Sequence, residues 1–249
     1  MADDFKDHFS ASADDYSLYR PDYPDSLFDH LSMIVPSTKR AWDCATGNGQ
    51  AAIALANHFD QVIATDASEK QISKAASAEN ITYAVAPAEN SGLENESIDL
   101  ITVAQALHWF DIYAFTKEAT RVLRPGGVLG IWTYALHTIT PEIDACVREF
   151  YTDVVGTYWP PERTMVENGY EGIDMPFARI QSPHFEMTQN WNLSQLVGYL
   201  DTWSAVSAYK KSQGTNPVES IIEALTELSG DPMSRKPVIW PLTTIFRVK

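Results

Sequence analysis

The stretch Arg40-Ala-Trp-Asp-Cys-Ala-Thr-Gly-Asn-Gly-Gln50 limits the folds open to this chain more than any other. It reads as a short strand running into a glycine turn and then a helix, with Asp43 near the end of the strand. Gly47 and Gly49 let the backbone take positive φ and pass close to a ligand, and the helix after them offers free N–H groups. A second apolar strand, Gln61-Val-Ile-Ala-Thr-Asp66, ends on an acid placed to hold a ribose diol. Together these features indicate a nucleotide-type cofactor.

Two cofactor classes share that geometry. Read as Gly47-x-Gly49-x-x-Ala52, the turn also fits a dinucleotide fingerprint, in which Ala replaces the last Gly. Asp43 shifts the balance. A pyrophosphate laid over the turn would be repelled by a carboxylate, whereas an ammonium or sulfonium would be attracted. At low effective dielectric that attraction reaches roughly several kcal/mol before desolvation is charged against it. Capping of the next turn is the other reading of Asp43.

The alternation continues downstream. Residues 80–86 read as a third strand, followed by Pro87-Ala88-Glu89, and Ser97–Ala104 as a fourth. Then come Gln105-Ala-Leu-His108-Trp109-Phe110, a helix over roughly 111–122, the turn Arg124-Pro-Gly-Gly127 and a fifth strand, Val128–Thr133. Strands and helices joined by short connections predict a parallel sheet covered on both faces.

The set Asp43-x-Ala45-x-Gly47-x-Gly49, Asp66-Ala67-Ser68, Ala88-Glu89, Ile98-Asp99-Leu-Ile, Ala106-Leu-His-Trp109 and Leu123-Arg-Pro-Gly-Gly127 resembles the class I S-adenosylmethionine-dependent methyltransferases. Within them it is most similar to the small-molecule group of trans-aconitate methyltransferase-like proteins. The resemblance implies a Rossmann-like seven-stranded mixed sheet flanked by helices, with an antiparallel last strand near Val238–Arg247. It also implies a lid at residues 1–36, a cofactor-binding core at 37–134, and a substrate cap with C-terminal strands at 135–249, all in one methyltransferase domain. Asp43 and the Ala45–Gly49 loop would face the methionine end, and Asp66, beside Ala67, would accept both ribose hydroxyls. Gln71 would lie under adenine, Ala88 and Glu89 at its edge, and the Ala104 carbonyl near the amino group. Ala45 stands where the family has a first glycine, which close approach tolerates at negative φ.

In the aromatic-rich Phe9–Pro24 segment, Tyr16 and Arg20 lie one helical turn apart. Arg20 is a candidate clamp for the cofactor carboxylate and Tyr16 a candidate cover over the methyl group; packing is the other reading of Tyr16. Pro21 and Pro24 suit a hinge between lid and body.

A net charge of −15, from 18 basic against 33 acidic residues with no basic run, argues against nucleic acid as a partner. No apolar run approaches the length of a membrane span, and the start Met-Ala-Asp-Asp-Phe-Lys-Asp is too acidic for a secretory leader. Two cysteines, Cys44 and Cys146, show neither metal spacing nor a disulfide framework, so no metal and a reducing cytoplasm are expected.

Substrate identity must come from the chain beyond the fifth strand. Residues 135–176 and 189–236 flank a strand expected around Phe177–Met187 and carry many aromatic residues, Trp159 and Tyr199 among them. Leu193, Leu196, Val197 and Leu200 have helical spacing, and a second helix is expected from Pro217 to Leu228, closed by Gly230. His108, Trp109, Trp132 and Trp203 are the candidate substrate contacts. His108 could serve as a general base for a hydroxyl or carbon acid, or simply cap the next helix. A carboxylate acceptor would need no base, but it would want a cation, from Arg148, Arg163 or Arg179. The expected activity is methyl transfer from S-adenosylmethionine to a small molecule, with a carboxylate as one candidate. The competing readings are a nicotinamide-dinucleotide oxidoreductase and a non-catalytic binding module.

Overall fold

The computed structural model describes residues 21–249. Tyr16, Arg20 and most of the expected lid therefore lie outside the described residues. Pro24 is extended and starts α1 (Asp25–Ile34), which buries Leu27, Phe28 and Leu31 on one stripe. The alternation then runs β1 (Arg40–Cys44), α2 (Gln50–Leu55), β2 (Gln61–Asp66), α3 (Glu69–Ile72), β3 (Ile81–Val85), β4 (Ile98–Ala104), α4 (Ile112–Val122) and β5 (Leu123–Thr133). Beyond it lie α5 (Pro141–Glu149), α6 (Arg163–Glu167), β6 (Ala178–Ile180), β7 (Phe185–Trp191), α7 (Leu193–Asp201), α8 (Ser204–Gln213), α9 (Glu219–Ser229) and β8 (Lys236–Val248).

Seven strands join in the order β3-β2-β1-β4-β5-β8-β6, and β7 pairs with the first half of β8. The β1–β5 pairings are parallel and β8 is antiparallel to β5, which is the expected mixed sheet. β1, β2 and β4 are buried almost throughout because both of their faces are covered. Alternate residues divide between two cores. Ala41, Val62, Leu100 and Trp132 pack with α1, while Trp42, Ile63, Ile101 and Ile131 pack with Phe115 and Ala119 of α4. At the end of the sheet away from the strand C-termini, the buried Asp99 carboxylate accepts the Arg40 N–H and the Arg124 guanidinium.

Three expectations need correction. The strand placed at Phe177–Met187 is two strands, broken at residues 181–184 and continuing to Trp191. Their pairings along β8 differ by one residue of register, and Pro183, which lacks an N–H, sits in the break. The turn Arg124–Gly127 is the irregular start of β5, where Leu123 already pairs with Ile98. The segment after β5 also holds three α-helices beyond the two expected. Of these, α5 carried a local signal in Thr140, whose side chain caps it ahead of Pro141.

Among the described residues no helix is long and apolar enough to cross a membrane, and no cluster of three or more His, Cys, Asp or Glu is placed to hold a metal.

Candidate active site

The C-terminal ends of β1 to β5 share one edge of the sheet, and the strand order reverses between β1 and β4. Open α/β sheets bind ligands at such a crevice. The loop leaving β1 here is wound through three left-handed residues: Ala45 (φ 57°), Gly47 (φ 58°) and Gly49 (φ 87°). The negative φ expected for Ala45 is therefore wrong; alanine takes the left-handed conformation of the glycine it replaces, at a cost of roughly 1–2 kcal/mol. A Cβ built on Gly47 would meet nothing within 4 Å, so this side of the loop faces open space.

Two acids organise the loop. Asp66 accepts the Gly47 N–H and the Ser68 N–H, each at 2.8 Å, and so ties the loop to the end of β2. Asp43 is buried and accepts the hydroxyls of Thr46 (2.5 Å) and Thr102 (2.7 Å). Among the described residues no cation pairs with it. Burial raises the Asp43 pKa to about 6, the two hydroxyls pull it down, and the charge of Asp66 pushes it up. A buried carboxylate held this way is a ready partner for a positive ligand.

The other residues expected at this edge are there. Ala67 is exposed beside Asp66, Gln71 is half-buried on α3, and Ala88 is buried in the loop after β3. Glu89 is half-exposed and accepts the N–H of Asp111 at the start of α4 (3.0 Å). Ala104 ends β4, half-buried, at the reversal point.

Beside this edge opens a cleft enclosing about 660 Å³, its mouth included. Gln105, His108 and Trp109 line it from behind β4, Tyr134 from the end of β5, Trp159 and Arg163 from the segment around α6, and Tyr199 and Trp203 from α7 and its end. Gln105 is left-handed (φ 54°), and its amide is fixed by donation to the Tyr134 carbonyl (2.8 Å) and acceptance from the Thr133 hydroxyl. Non-glycine residues in this region tend to occur at functional sites.

His108 Nδ1 lies 2.9 Å from the hydroxyl of Tyr170, which is itself buried and left-handed (φ 59°). Burial, helped by the nearby Arg163 charge, lowers the His108 pKa to about 4, so the ring is neutral at neutral pH. Arg163 donates from Nε to the Tyr151 hydroxyl (2.9 Å), and its guanidinium lies 4.8 Å from the centre of the Trp159 ring. The Tyr151 hydroxyl donates to Glu167. Among the described residues no carboxylate pairs with Arg163.

The structure thus brings His108, Trp109 and Trp203 to one cleft but not Trp132. That ring is fully buried, edge-on to Tyr23 and Phe28, because its position on β5 points to the α1 face. Of the three arginines considered, Arg148 and Arg179 are exposed and do not line the cleft. Gln105, Tyr134 and Tyr170 carry no signal in the sequence that marks them for the site. Only tertiary packing sets their conformations.

Residues 42–131 match a family model described as a methyltransferase domain. A protein of Dictyostelium discoideum named as a methyltransferase is 33% identical over 225 residues, covering 89% of this chain and 86% of its own. The solved structure of a protein described as a type II methyltransferase, from Anaeromyxobacter dehalogenans, is 41% identical; the match covers 92% of this chain and 97% of that one, with a TM-score of 0.86. A phosphoethanolamine N-methyltransferase of Haemonchus contortus, solved with S-adenosylhomocysteine, shares the fold at 17% identity and a TM-score of 0.52, over all of this chain and 60% of that one. With a left-handed loop set between two acids at the reversal point of the sheet, and relatives aligned over nearly its whole length, the chain belongs to the class I S-adenosylmethionine-dependent methyltransferases.

Proposed function

We propose that the protein binds S-adenosylmethionine along the acidic edge of the sheet and methylates a small organic acid held in the aromatic cleft. The observation that carries this reading is a division of charge. Among the described residues, Asp43 has no cationic partner on the cofactor side and Arg163 no carboxylate partner on the other.

The loop suits the cofactor on its own terms. Gly47 leaves open space above the turn, and Asp43 and Asp66 together favour a cation over a pyrophosphate, which weakens the dinucleotide alternative. Asp66, at the end of β2 and bonded to the Gly47 and Ser68 amides, would take the ribose hydroxyls. Ala67, Gln71, Ala88 and Glu89 would border the adenine, and Ala104 the amino group. Tyr16 and Arg20 remain our candidates for the lid within residues 1–36, and residues 135–249 for the cap and C-terminal strands of a single domain.

Bound there, S-adenosylmethionine supplies a methyl group on a cationic sulfur; a carboxylate oxygen takes the methyl, and the C–S electron pair returns to sulfur, leaving a neutral ester and a neutral sulfide. No proton moves, so His108 need not act as a base, and its low pKa suits a neutral wall beside an anion. The residues' task is alignment and exclusion of water, which can be worth roughly 7–11 kcal/mol. Arg163 would hold the acid before transfer and lose its charged partner once the ester forms, which favours release. The net charge of −15 supports a small molecule rather than nucleic acid as substrate, and two free cysteines suit a reducing cytoplasm.

The test is transfer of radiolabelled methyl to a panel of small acids and phenols, with the label released by mild base if the product is an ester. Alongside it, Asp66→Ala should weaken S-adenosylhomocysteine binding by about 100-fold in calorimetry, as expected for loss of a charged hydrogen-bonding group worth roughly 2–3 kcal/mol. Unchanged binding in that variant would remove the pocket assignment.

A further inference from the structure

We infer that the cleft selects a monocarboxylate with a flat apolar body and rejects acids bearing two or three carboxylates. This deepens the preceding proposal and rests on it. Among the described residues, Arg163 is the one cationic side chain that lines the cleft. It is also a restrained cation: its Nε is committed to Tyr151, which is in turn held by Glu167, and its plane lies over Trp159. Its terminal nitrogens make no hydrogen bond to any described residue, and they suit the two oxygens of a single carboxylate.

Among the described residues, the rest of the wall offers a second negative charge no Lys or Arg. Among the described residues that line the cleft, His108 is the one other side chain that could become a cation, and it stays neutral above about pH 5 because burial and Arg163 both oppose its protonation. The Gln105 amide is occupied by Tyr134 and Thr133. Trp109, Tyr134, Trp159, Tyr199 and Trp203 contribute rings, and Ser204 a neutral hydroxyl. A second carboxylate placed there would lose hydration without gaining a cationic partner among the described residues, while a flat unsaturated body would gain contact with the rings.

The experiment is calorimetry of the full-length protein, with and without S-adenosylhomocysteine, using three inert probes: trans-cinnamate, its neutral amide, and benzene-1,3,5-tricarboxylate. Cinnamate is expected to bind at least 30-fold more tightly than either of the others. Arg163→Gln should reduce the cinnamate-to-amide ratio at least tenfold, and Arg163→Lys should restore part of it. The inference is overturned if the tricarboxylate binds as well as cinnamate, if the amide binds equally, if no probe binds, or if Arg163→Gln leaves the ratio unchanged. Should that variant fail to fold, the three affinities of the unaltered protein decide the matter alone. Failure to bind S-adenosylhomocysteine would instead strike the cofactor proposal, because the cinnamate-to-amide ratio is readable without it. Ester formation on polyacids in preference to monoacids would leave methyl transfer standing and remove this selectivity.

Discussion

The two sides of the crevice are built on opposite plans. The sheet edge is made of backbone turns and carboxylates drawn from successive strand ends, Asp43, Asp66 and Glu89, each within a few residues of the strand that positions it. The facing wall is made of rings, one amide and one guanidinium, assembled from Gln105, Tyr134, Trp159, Arg163, Tyr199 and Trp203, which span almost a hundred positions of sequence. The first plan places groups through local geometry and holds them with short hydrogen bonds. The second depends on whether several helices pack correctly together. The edge should therefore tolerate disturbance of the wall, and the wall should carry more of the fold's stability.

The strongest test of that contrast is Trp203→Ala. Trp203 is 4% exposed and packs against Phe150, Tyr151, Trp159 and Tyr199. Its loss should cost about 3–5 kcal/mol in denaturant titration. Affinity for S-adenosylhomocysteine should stay within about threefold. A large loss of cofactor affinity would show the two sides to be one cooperative unit.

A smaller effect concerns pH at the edge. The Asp43 pKa lies at about 6 in the folded protein against an ordinary 3.8. The folded state thus holds an extra proton between those values. The contribution of this group to stability is most favourable below about pH 4, and is lost as pH rises to about 6, by on the order of 3 kcal/mol. A cationic ligand requires the ionised form. S-adenosylmethionine affinity should be level above about pH 7 and fall by up to about tenfold per unit below 6. Asp43→Asn should abolish that pH dependence, weaken binding, and leave the melting temperature at pH 7.5 unchanged or higher.

The smallest effect expected is that of Ala45→Gly. Glycine accepts φ 57° without the Cβ penalty but loses more entropy on folding, so a net gain of about 0.5–1 kcal/mol is expected in denaturant titration. A loss of stability would mean that the Ala45 methyl packs usefully, against our reading of the loop as strained.

These differences track how far each region is legible in the chain itself. The Asp43–Gly49 turn (apart from the left-handed Ala45), the Asp66 strand end and the alternating elements through Thr133 are legible, because φ preferences and hydrophobic period act over a few residues. Trp132 misleads for a related reason: its place at the end of a strand suggests the ligand side, while strand alternation sends it to the α1 core. Arg163 can be named from sequence only as one of three arginines, since nothing local separates it from Arg148 and Arg179.

Local sequence was enough to set the order of elements through Thr133, the glycine turn and the acids at the strand ends, and with them an edge of negative charge. Packing settled that Gln105 and Tyr170 would be left-handed, that His108 would be neutral, and that Arg163 would be the arginine in the aromatic wall. Range separates the two groups. Backbone conformation in the turn is fixed by neighbours along the chain, whereas burial, with the pKa values and charge pairing it brings, depends on segments that meet only when the sheet and its helices close.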